Sequence, residues 1–375
     1  MKFFLKLKKE NYVDFPLNIK KVFSRFKIKF DKHKYFYFVR VYNKKINNFE
    51  MMKYDLSGLS DKLTYEIFKS EDSVKEKEFK AIEDGALFFS SSENNNKFKL
   101  TLEDTIIFEK NFNKFENLKV KYKKNQKIKF SSKKEILFSK NFYFNKHLKQ
   151  KLNLIIFIDG LPSNEFYNDW TSKNCLKNTT EFFSNGYHFR NHFSNGEWSL
   201  PSGGNFFTGC YLDKHQLYHP EKNVSFSNNL ENLAEIFSNN SYYTHMINGS
   251  HRLSPMYGFI KGFDRTLYKR QMKASDVVNH FIEFDKIFKG KKFVWLTIWD
   301  LHFSRNNPGF GYDLFETNKI DKKVKSPYET ENKIMKNIFY NKLTIIDENL
   351  FLIYKYIEKN YAKEEINVHL VSDHG

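Results

Sequence analysis

Cysteine is scarce in this chain, and long apolar runs are missing. The 375 residues include only Cys175 and Cys210, which excludes a disulfide-stabilised scaffold and a cysteine-rich zinc site. No stretch approaches the roughly 18 uninterrupted apolar residues of a membrane span, and the mean hydropathy is -0.65. Lysines interrupt the apolar positions of the basic N-terminal segment, so no clear signal peptide is present. We therefore expect a globular protein without a transmembrane span, either cytoplasmic or peripheral to a membrane.

Acidic residues are outnumbered by basic ones. The chain has 62 Lys+Arg against 44 Asp+Glu, which gives a net charge of +18. Such an excess occurs in proteins that bind nucleic acids or anionic membranes. Here, however, the lysines are scattered, and the abundance of Lys, Asn and Phe, with 42 Phe, is typical of AT-rich codons. Composition therefore explains the charge better than a specific nucleic-acid partner does, although a positive field would attract an anionic substrate.

Residues 1–150 predict a β-rich accessory domain. Apolar side chains alternate there with polar ones at the period of two that half-buried strands require. The segments with this pattern or of strand length are Tyr35–Tyr42, Phe98–Leu102, Leu118–Tyr122, Ile128–Phe130 and Ile136–Phe138. They contain no compact cluster of candidate catalytic residues. We expect an antiparallel, sandwich-like domain with a supporting or binding role.

Residues 151–375 predict an α/β domain, in which buried strands alternate with helices. The predicted strands are Leu152–Ile158, Tyr242–Ile247, Phe293–Ile298 and Val368–Val371, and the predicted helices are Leu230–Phe237 and residues 329–360. The long helix is predicted from apolar residues that recur at threes and fours. The expected fold is a sheet with flanking helices.

Three of these strands end in groups that bind metals. Asp159 follows the first strand, Asp300 and His302 follow the third, and Asp373 and His374 follow the last. Because ligands of open parallel sheets bind beyond the carboxyl ends of the strands, these side chains are expected to converge. Carboxylate and imidazole ligands suit Zn²⁺ or Mn²⁺. Each acid alone could be a helix cap or a turn residue, but three strand ends in this order favour a site.

A second candidate group lies in the segment Glu197–Cys210. Ser199 precedes Pro201, and Ser202 with two glycines predicts the start of a short helix that ends near Gly209. A hydroxyl at a helix N-terminus lies where backbone N–H groups stabilise anions. On this segment alone, a serine N-cap followed by a glycine-rich turn is the simpler interpretation.

The segment Ser199-Leu-Pro-Ser-Gly-Gly-Asn-Phe-Phe-Thr-Gly209 resembles the nucleophile motif of the sulfatases and the wider alkaline phosphatase superfamily. Other segments follow in the family's order. These are Phe157–Leu161 as the first metal-binding strand, Ile260–Asp264 as a Gly-Phe-Asp turn, Trp299–His302 as an Asp-x-His loop, Ile346–Glu348 in the preceding helix, and Val371–Gly375 as the second metal motif. The resemblance covers about residues 150–375 and none of the N-terminal part.

The resemblance implies a role for each matching residue. Asp159, Asp373 and His374 would bind a divalent metal, with Zn²⁺ or Mn²⁺ favoured and Ca²⁺ as a further candidate. Ser199 would be both a metal ligand and the nucleophile that attacks a phosphoryl or sulfuryl group. His302, Asp300 and His251 would contact the substrate or complete a second metal site. The substrate would be a small-molecule, glycan or lipid-linked ester.

The sequence departs from the family's pattern at several positions. Sulfatases whose Cys or Ser matures to formylglycine usually have Arg two residues after the Pro, where this chain has Gly203, and two adjacent acids where Gly160 follows Asp159. Both departures favour an unmodified Ser199 acting on a phosphoester over formylglycine and a sulfate ester. The family's Gly-Lys-Trp-His element is reduced to Asn248–His251, so a substrate-binding Lys is not evident. Because the family continues past its second metal motif, we expect the C-terminal part to be truncated.

Two hypotheses from different classes stay open. The first is a metal-dependent hydrolase or transferase acting on sulfate or phosphate esters through Ser199. The alternative is a catalytically inactive relative that binds anionic glycans. The sequence leaves open which of the two esters is the substrate, and also the oligomeric state.

Overall fold

The computed structural model describes residues 35–40, 64–91, 93–113, 116–144, 149–162, 175–189, 192–218, 230–302 and 333–374. The N-terminal segment, residues 41–42 of the first predicted strand, residues 329–332 of the predicted long helix, and Gly375 lie outside these ranges. Within them, the strands form one 13-stranded sheet. No helix in this part of the chain is both long enough and apolar enough to cross a membrane.

The strands follow one another along the whole chain. They are β1 (Tyr35–Arg40), β2 (Thr64–Lys80), β3 (Gly85–Ser91), β4 (Asn96–Leu102), β5 (Thr105–Phe112), β6 (Asn117–Tyr122), β7 (Lys127–Ser139), β8 (Phe142–Tyr143), β9 (Lys151–Ile158), β10 (Tyr243–Asn248), β11 (Arg265–Tyr268), β12 (Lys291–Ile298) and β13 (Ile366–Val371).

All helices of the described ranges follow β9 in the chain. They are α1 (Lys177–Phe182), α2 (Ser199–Thr208), α3 (Leu212–His215), α4 (Leu233–Asn239), α5 (Ala274–Ile287) and α6 (Lys333–Asn360). Short 3₁₀ turns occur at Pro255–Tyr257, Asp300–His302 and Lys363–Glu365.

Five neighbouring strands of the sheet are parallel, in the order β13-β9-β12-β10-β11. Helices cover both faces of this part. Because alternate residues of a strand point to opposite faces, Leu154, Ile156 and Ile158 of β9 pack with α5 and α6, whereas Phe157 packs with α2 and α4. The predicted α/β sheet with flanking helices is confirmed. All carboxyl ends of the parallel strands lie on one edge.

The long helix α6 has the predicted periodicity. Its fully buried side chains include Leu343, Ile346, Leu350, Ile353 and Ile357, which are spaced by three or four residues. They form one apolar stripe on the sheet. The predicted helix at Leu230–Phe237 begins instead at Leu233, where the Asn232 side chain accepts a hydrogen bond from the Glu235 backbone N–H.

The strand β2 joins the β-rich N-terminal part to the parallel strands. Its first residues pair with β11, and its later residues pair with β7. The Arg265 guanidinium reinforces the first junction, because its Nη2 lies 2.6 Å from Oε1 of Glu66. The strands β3–β7 enclose a separate apolar cluster that includes Phe89, Phe98 and Phe130. The N-terminal part is β-rich as predicted, and the division of the chain at residue 150 stays a prediction.

Candidate active site

Polar side chains meet where β9, β12 and β13 end. These three strands are adjacent, so Asp159, His302 and His374 leave the sheet side by side. The Asp159 side chain is fully buried, and its Oδ1 accepts a hydrogen bond from Nε2 of His302 at 2.5 Å. The Nε2 of His374 lies 3.7 Å from the same oxygen. One ligand atom from each of the three residues lies within 4.8 Å of the others.

Ser199 contributes a hydroxyl to the same carboxylate. Its Oγ donates to Oδ1 of Asp159 at 3.0 Å, and its side chain is almost completely buried. The predicted helix start at Ser202 is wrong, because α2 begins at Ser199 with Trp198 as its N-cap residue. Ser199 therefore lies in the first helical turn, where backbone N–H groups have no partner within the helix. By contrast, Ser202 Oγ bonds to Ser194 and to the Gly196 carbonyl.

The Asp373 carboxylate closes the other side of the site. Its Oδ1 accepts from the Gly160 backbone N–H at 3.0 Å, and Ser372 Oγ accepts from the Leu161 backbone N–H at 3.0 Å. These bonds tie the end of β13 to the turn after β9. The Asp373 Oδ2 lies 3.3 Å from Nε2 of His374 without a hydrogen bond between them.

Gly160 gives His302 the room to reach Asp159. Its φ is +77°, and a Cβ at this position would lie 3.3 Å from Nε2 of His302. A side chain here would be strained by the left-handed backbone. The turn therefore leaves room for an imidazole beside Asp159.

The pKa of Asp159 is lowered, whereas the pKa values of His302 and Asp373 are raised. Burial alone would raise the pKa of Asp159, but the hydrogen bond from His302 and the charges of His302 and His374 hold it below its usual value. Burial opposes protonation of His302, yet the bond to Asp159 and its charge raise the pKa of that imidazole. Burial and the nearby Asp159 charge raise the pKa of Asp373 to about 8. The two carboxylates differ because the hydrogen bond and the charge of His302 act on Asp159.

The donor set fits a divalent cation. The Oδ2 atoms of Asp159 and Asp373 are both buried and have no hydrogen-bond partner within the described ranges. An unpaired buried carboxylate oxygen is costly unless a cation or a proton compensates it. Two carboxylates with the imidazoles of His302 and His374 are ligands that suit Zn²⁺ or Mn²⁺. The Ser199 hydroxyl would be a further oxygen ligand.

His251 and Asp300 lie close to this group without hydrogen-bonding to it in the described part of the chain. The His251 ring contacts the Trp299 ring edge-on at 5.8 Å, and its Nδ1 is buried with no hydrogen-bond partner. Burial, followed by the charges of Arg252 and Arg270, lowers the pKa of His251 to about 3.

The Asp300 carboxylate is directed to the start of α5. Its two oxygens accept from the Ala274 backbone N–H at 3.0 and 3.2 Å, and burial raises its pKa to about 6. This is the helix-cap use that a single loop acid commonly has. That Asp300 and His251 contact the substrate or complete a second metal site stays a prediction.

Two arginines near the site were missed in the sequence. Arg252 and Arg270 follow the carboxyl ends of β10 and β11, a position that would have identified them once these strands were placed in one sheet. Asp347 of α6 accepts from the backbone N–H and the side chain of both Asn178 and Thr179, at 2.6–2.9 Å. It thereby fixes the start of α1 against α6, which gives the Ile346–Glu348 motif a structural role.

Comparison with known proteins gives matches among solved structures alone. No protein-family model and no curated protein matches the chain. The structure is similar to the C-terminal periplasmic domain of a phosphoethanolamine transferase from Campylobacter jejuni, with 15% identity, a TM-score of 0.46, and coverage of 62% of this chain and 71% of that one. It is similar to the phosphonate monoester hydrolase of Agrobacterium radiobacter, with 12% identity, a TM-score of 0.43 and coverage of 60% and 62%.

A candidate sulfatase from Bacteroides fragilis also matches, with 15% identity, a TM-score of 0.42 and coverage of 62% and 63%. The chain thus spans less than two thirds of the length of this protein and of the phosphonate monoester hydrolase. The matching proteins belong to the alkaline phosphatase superfamily, the group that the sequence motifs resemble.

Proposed function

We propose that this protein is a metal-dependent hydrolase or transferase that acts on phosphate esters, with Ser199 as the nucleophile. The observation that carries the proposal is the 3.0 Å hydrogen bond from Ser199 Oγ to Oδ1 of Asp159, a buried carboxylate shared with His302. A hydroxyl becomes a nucleophile when a base accepts its proton or a cation lowers its pKa. Ser199 has both the acceptor and the cation ligands beside it.

Asp159, Asp373 and His374 would hold a divalent metal, with His302 as the further candidate ligand. When bound, such an ion supplies Lewis-acid stabilisation of the developing charge and lowers the pKa of the hydroxyl. Asp159 orients the Ser199 Oγ and accepts its proton at Oδ1. The backbone N–H groups of Ser199 and Leu200 in the first turn of α2 would stabilise the negative charge that develops on the equatorial oxygens of the phosphoryl group.

In the first half of the reaction, the Ser199 Oγ–phosphorus bond forms while the bond from phosphorus to the leaving oxygen breaks. The serine proton passes to Asp159, and the leaving oxygen departs as an alcohol after taking a proton from solvent. In the second half, water or an acceptor alcohol attacks the phosphoserine and releases its proton to solvent, while the bond from phosphorus to Ser199 Oγ breaks and Oγ regains its proton from Asp159. Water gives a hydrolase and an alcohol gives a transferase.

The preference for phosphate over sulfate rests on Gly203. A Cβ at this position would lie 2.3 Å from Leu253 Cδ2 and 3.2 Å from the Phe259 ring. The position that carries Arg in formylglycine-forming sulfatases therefore faces the apolar core. An unmodified serine favours phosphoester chemistry, as the departures in the sequence suggested.

Mass spectrometry of the peptide that contains residue 199, with phosphatase and sulfatase assays, tests the proposal. We expect an unmodified or phosphorylated Ser199 and turnover of 4-nitrophenyl phosphate in the presence of Mn²⁺ or Zn²⁺. Ser199→Ala should lower kcat by at least about 10³-fold, whereas Ser202→Ala should retain turnover, because Ser202 bonds to Ser194 and Gly196 instead of Asp159.

A residue 199 that has lost two hydrogens would be formylglycine and would establish a sulfatase instead. Turnover of neither ester by metal-loaded protein, with no effect of Asp159→Ala on metal content, would support the inactive anion-binding relative.

A further inference from the structure

The edge of the sheet at which Asp159 lies carries positively charged side chains beyond β9 and β12. The loop of residues 249–254 follows β10, and the loop of residues 269–273 follows β11. The two strands are parallel neighbours, with Asn248 opposite Tyr268. Arg252 and Arg270 therefore leave the sheet at the same edge as Asp159.

The two loops are fixed against each other. The Asn248 side chain accepts from the Ser250 backbone N–H at 2.8 Å and donates to the Leu253 carbonyl at 2.7 Å. The Gln271 backbone N–H donates to the Gly249 carbonyl at 2.9 Å. A Cβ at Gly249 would lie 2.7 Å from the Met272 carbonyl oxygen, so the loops touch along their backbones. Their side chains therefore have a defined relative position.

Neither guanidinium is neutralised within the described residues. Arg252 packs over the Trp198 ring at 5.1 Å and approaches the Tyr257 hydroxyl at 3.4 Å, but forms no ion pair with a described carboxylate. Arg270 likewise forms no ion pair there, and its Nε is buried without a hydrogen-bond partner. Both charges act on His251 of the first loop. An arginine with unused donors beside a reactive site is a ready partner for phosphate, sulfate or carboxylate oxygens.

Strand spacing separates Arg270 from the Asp159 group. With neighbouring strands about 4.8 Å apart, the end of β11 lies about 14 Å from the end of β9. Arg252 lies nearer to the site, because it packs on Trp198 beside Ser199 and its charge acts on His302. An ester bound at Ser199 would therefore contact the metal ligands with its reacting group and approach Arg270 only with another part of the molecule.

We infer that Arg252 and Arg270 form a subsite for a second anionic group of the substrate, separated from the reacting ester by a spacer of several bonds. The inference rests on the proposed function for the position of the first group. It predicts that the substrate is at least dianionic, with phosphate, sulfate or carboxylate groups at two places.

A pair of ligands that differ by one phosphate tests this subsite. Binding of hexyl phosphate and of hexane-1,6-diol bisphosphate is measured by calorimetry on the full chain carrying Ser199→Ala, so that neither ligand turns over. We expect the bisphosphate to bind about tenfold more tightly. Arg270→Gln should reduce this advantage without weakening hexyl phosphate, Arg252→Gln should reduce it as well, and Arg270→Lys should keep most of it because it keeps the charge.

Lys269→Gln is the matched control, since it removes a neighbouring exposed charge that pairs with Asp276 at 3.7 Å. It should leave the advantage unchanged. Equal affinity for both ligands, failure of both to bind, or the same loss in Lys269→Gln and Arg270→Gln would overturn the subsite. Selective bisphosphate binding through the arginines, with no esterase activity in the Ser199 protein, would instead retain the subsite and reject the proposed function.

Discussion

The His302 imidazole occupies space that only a glycine at residue 160 leaves open. A Cβ on Gly160 would lie 3.3 Å from the same Nε2 that donates to Asp159. The missing second acid of the first strand and the position of His302 are therefore two aspects of one arrangement. A carboxylate at residue 160 would compete with the imidazole for the same place.

Gly160→Ala should weaken metal binding by displacing His302. The substitution also places alanine in the left-handed backbone region, which costs about 1–2 kcal/mol. Gly209→Ala is the matched control, because Gly209 has φ +65° but no atom within 4 Å of its Cβ position. We expect both variants to lose similar stability in urea unfolding and only Gly160→Ala to lose at least tenfold in Zn²⁺ or Mn²⁺ affinity by calorimetry. Equal affinity in the two variants would contradict a role of His302 in the metal site.

Asp373 should make metal binding depend on pH. Its pKa of about 8 in the metal-free fold lies above the usual value near 3.9 of an unfolded aspartate. The folded state thus holds more protons between these values, and metal-free stability should fall as the pH rises from about 4 to 8, by up to about 1.4 kcal/mol per pH unit. The raised pKa of His302 acts in the same direction above about pH 6.5.

Metal affinity should change in the opposite direction, because a ligating carboxylate must lose its proton. Affinity should rise by up to tenfold per pH unit towards pH 8, with proton release on binding. Asp373→Asn should flatten the stability profile and lower the number of protons released, while His302, whose pKa is also raised, still has a proton to lose. The checks are urea unfolding at several pH values and calorimetry in buffers of different ionisation enthalpy. A pH-independent affinity would show that Asp373 is already ionised in the metal-free protein.

The positions of the candidate site residues at the strand ends could be predicted, because they depend on the local sequence pattern. A continuous apolar run predicted β9 as a buried strand, and the position of Asp159 after it followed directly. The proximity of Asp159, His302 and His374 then required only that parallel strands have their carboxyl ends at one edge. The helical period of α6 was equally visible, since its stripe lies within one segment.

Contacts between distant segments were not predictable in this way. The helix α2 packs at Gly203 on Leu253 and Phe259, residues about 50 positions later, and no local pattern indicates this contact. The pairing of β2 with both β11 and β7 depends on the tertiary arrangement, and no pattern within β2 indicates it. Asp300 has the residue type and position of a site residue. Its carboxylate instead accepts a hydrogen bond from the Ala274 backbone N–H at the start of α5.

Removing one partner of the buried Lys292–Asp285 pair, at the end of the sheet opposite the site, should be strongly destabilising. Lys292 Nζ lies 2.6 Å from Oδ1 of Asp285. The Tyr361 hydroxyl also donates to this Oδ1, and the Tyr356 hydroxyl donates to Oδ2. Asp285→Asn leaves a buried ammonium without its counter-charge, so we expect a loss of about 3–5 kcal/mol in urea unfolding. Lys355→Met, which removes an exposed partner of Glu358, should cost at most about 1 kcal/mol. Similar losses in the two variants would mean that the buried pair is solvated.

Gly203 should tolerate no side chain while Leu253 is present. A methyl group would lie 2.3 Å from Leu253 Cδ2, so Gly203→Ala should destabilise the protein by about 1–3 kcal/mol through overpacking, despite the gain of about 1 kcal/mol that alanine brings to a helix. Gly203→Arg should be more destabilising, because its guanidinium would enter an apolar cluster.

A double-mutant cycle separates the two effects of Gly203→Ala, which are the overpacking against Leu253 and the gain in helix propensity. In a Leu253→Ala background the clash is removed, and the same substitution should become neutral or stabilising by up to about 1 kcal/mol. Unfolding in urea gives the four free energies of the cycle. If Gly203→Ala costs the same in both backgrounds, the helix does not pack on Leu253 as described. In that case an arginine could occupy residue 203, and the packing reason for preferring an unmodified Ser199 would be lost.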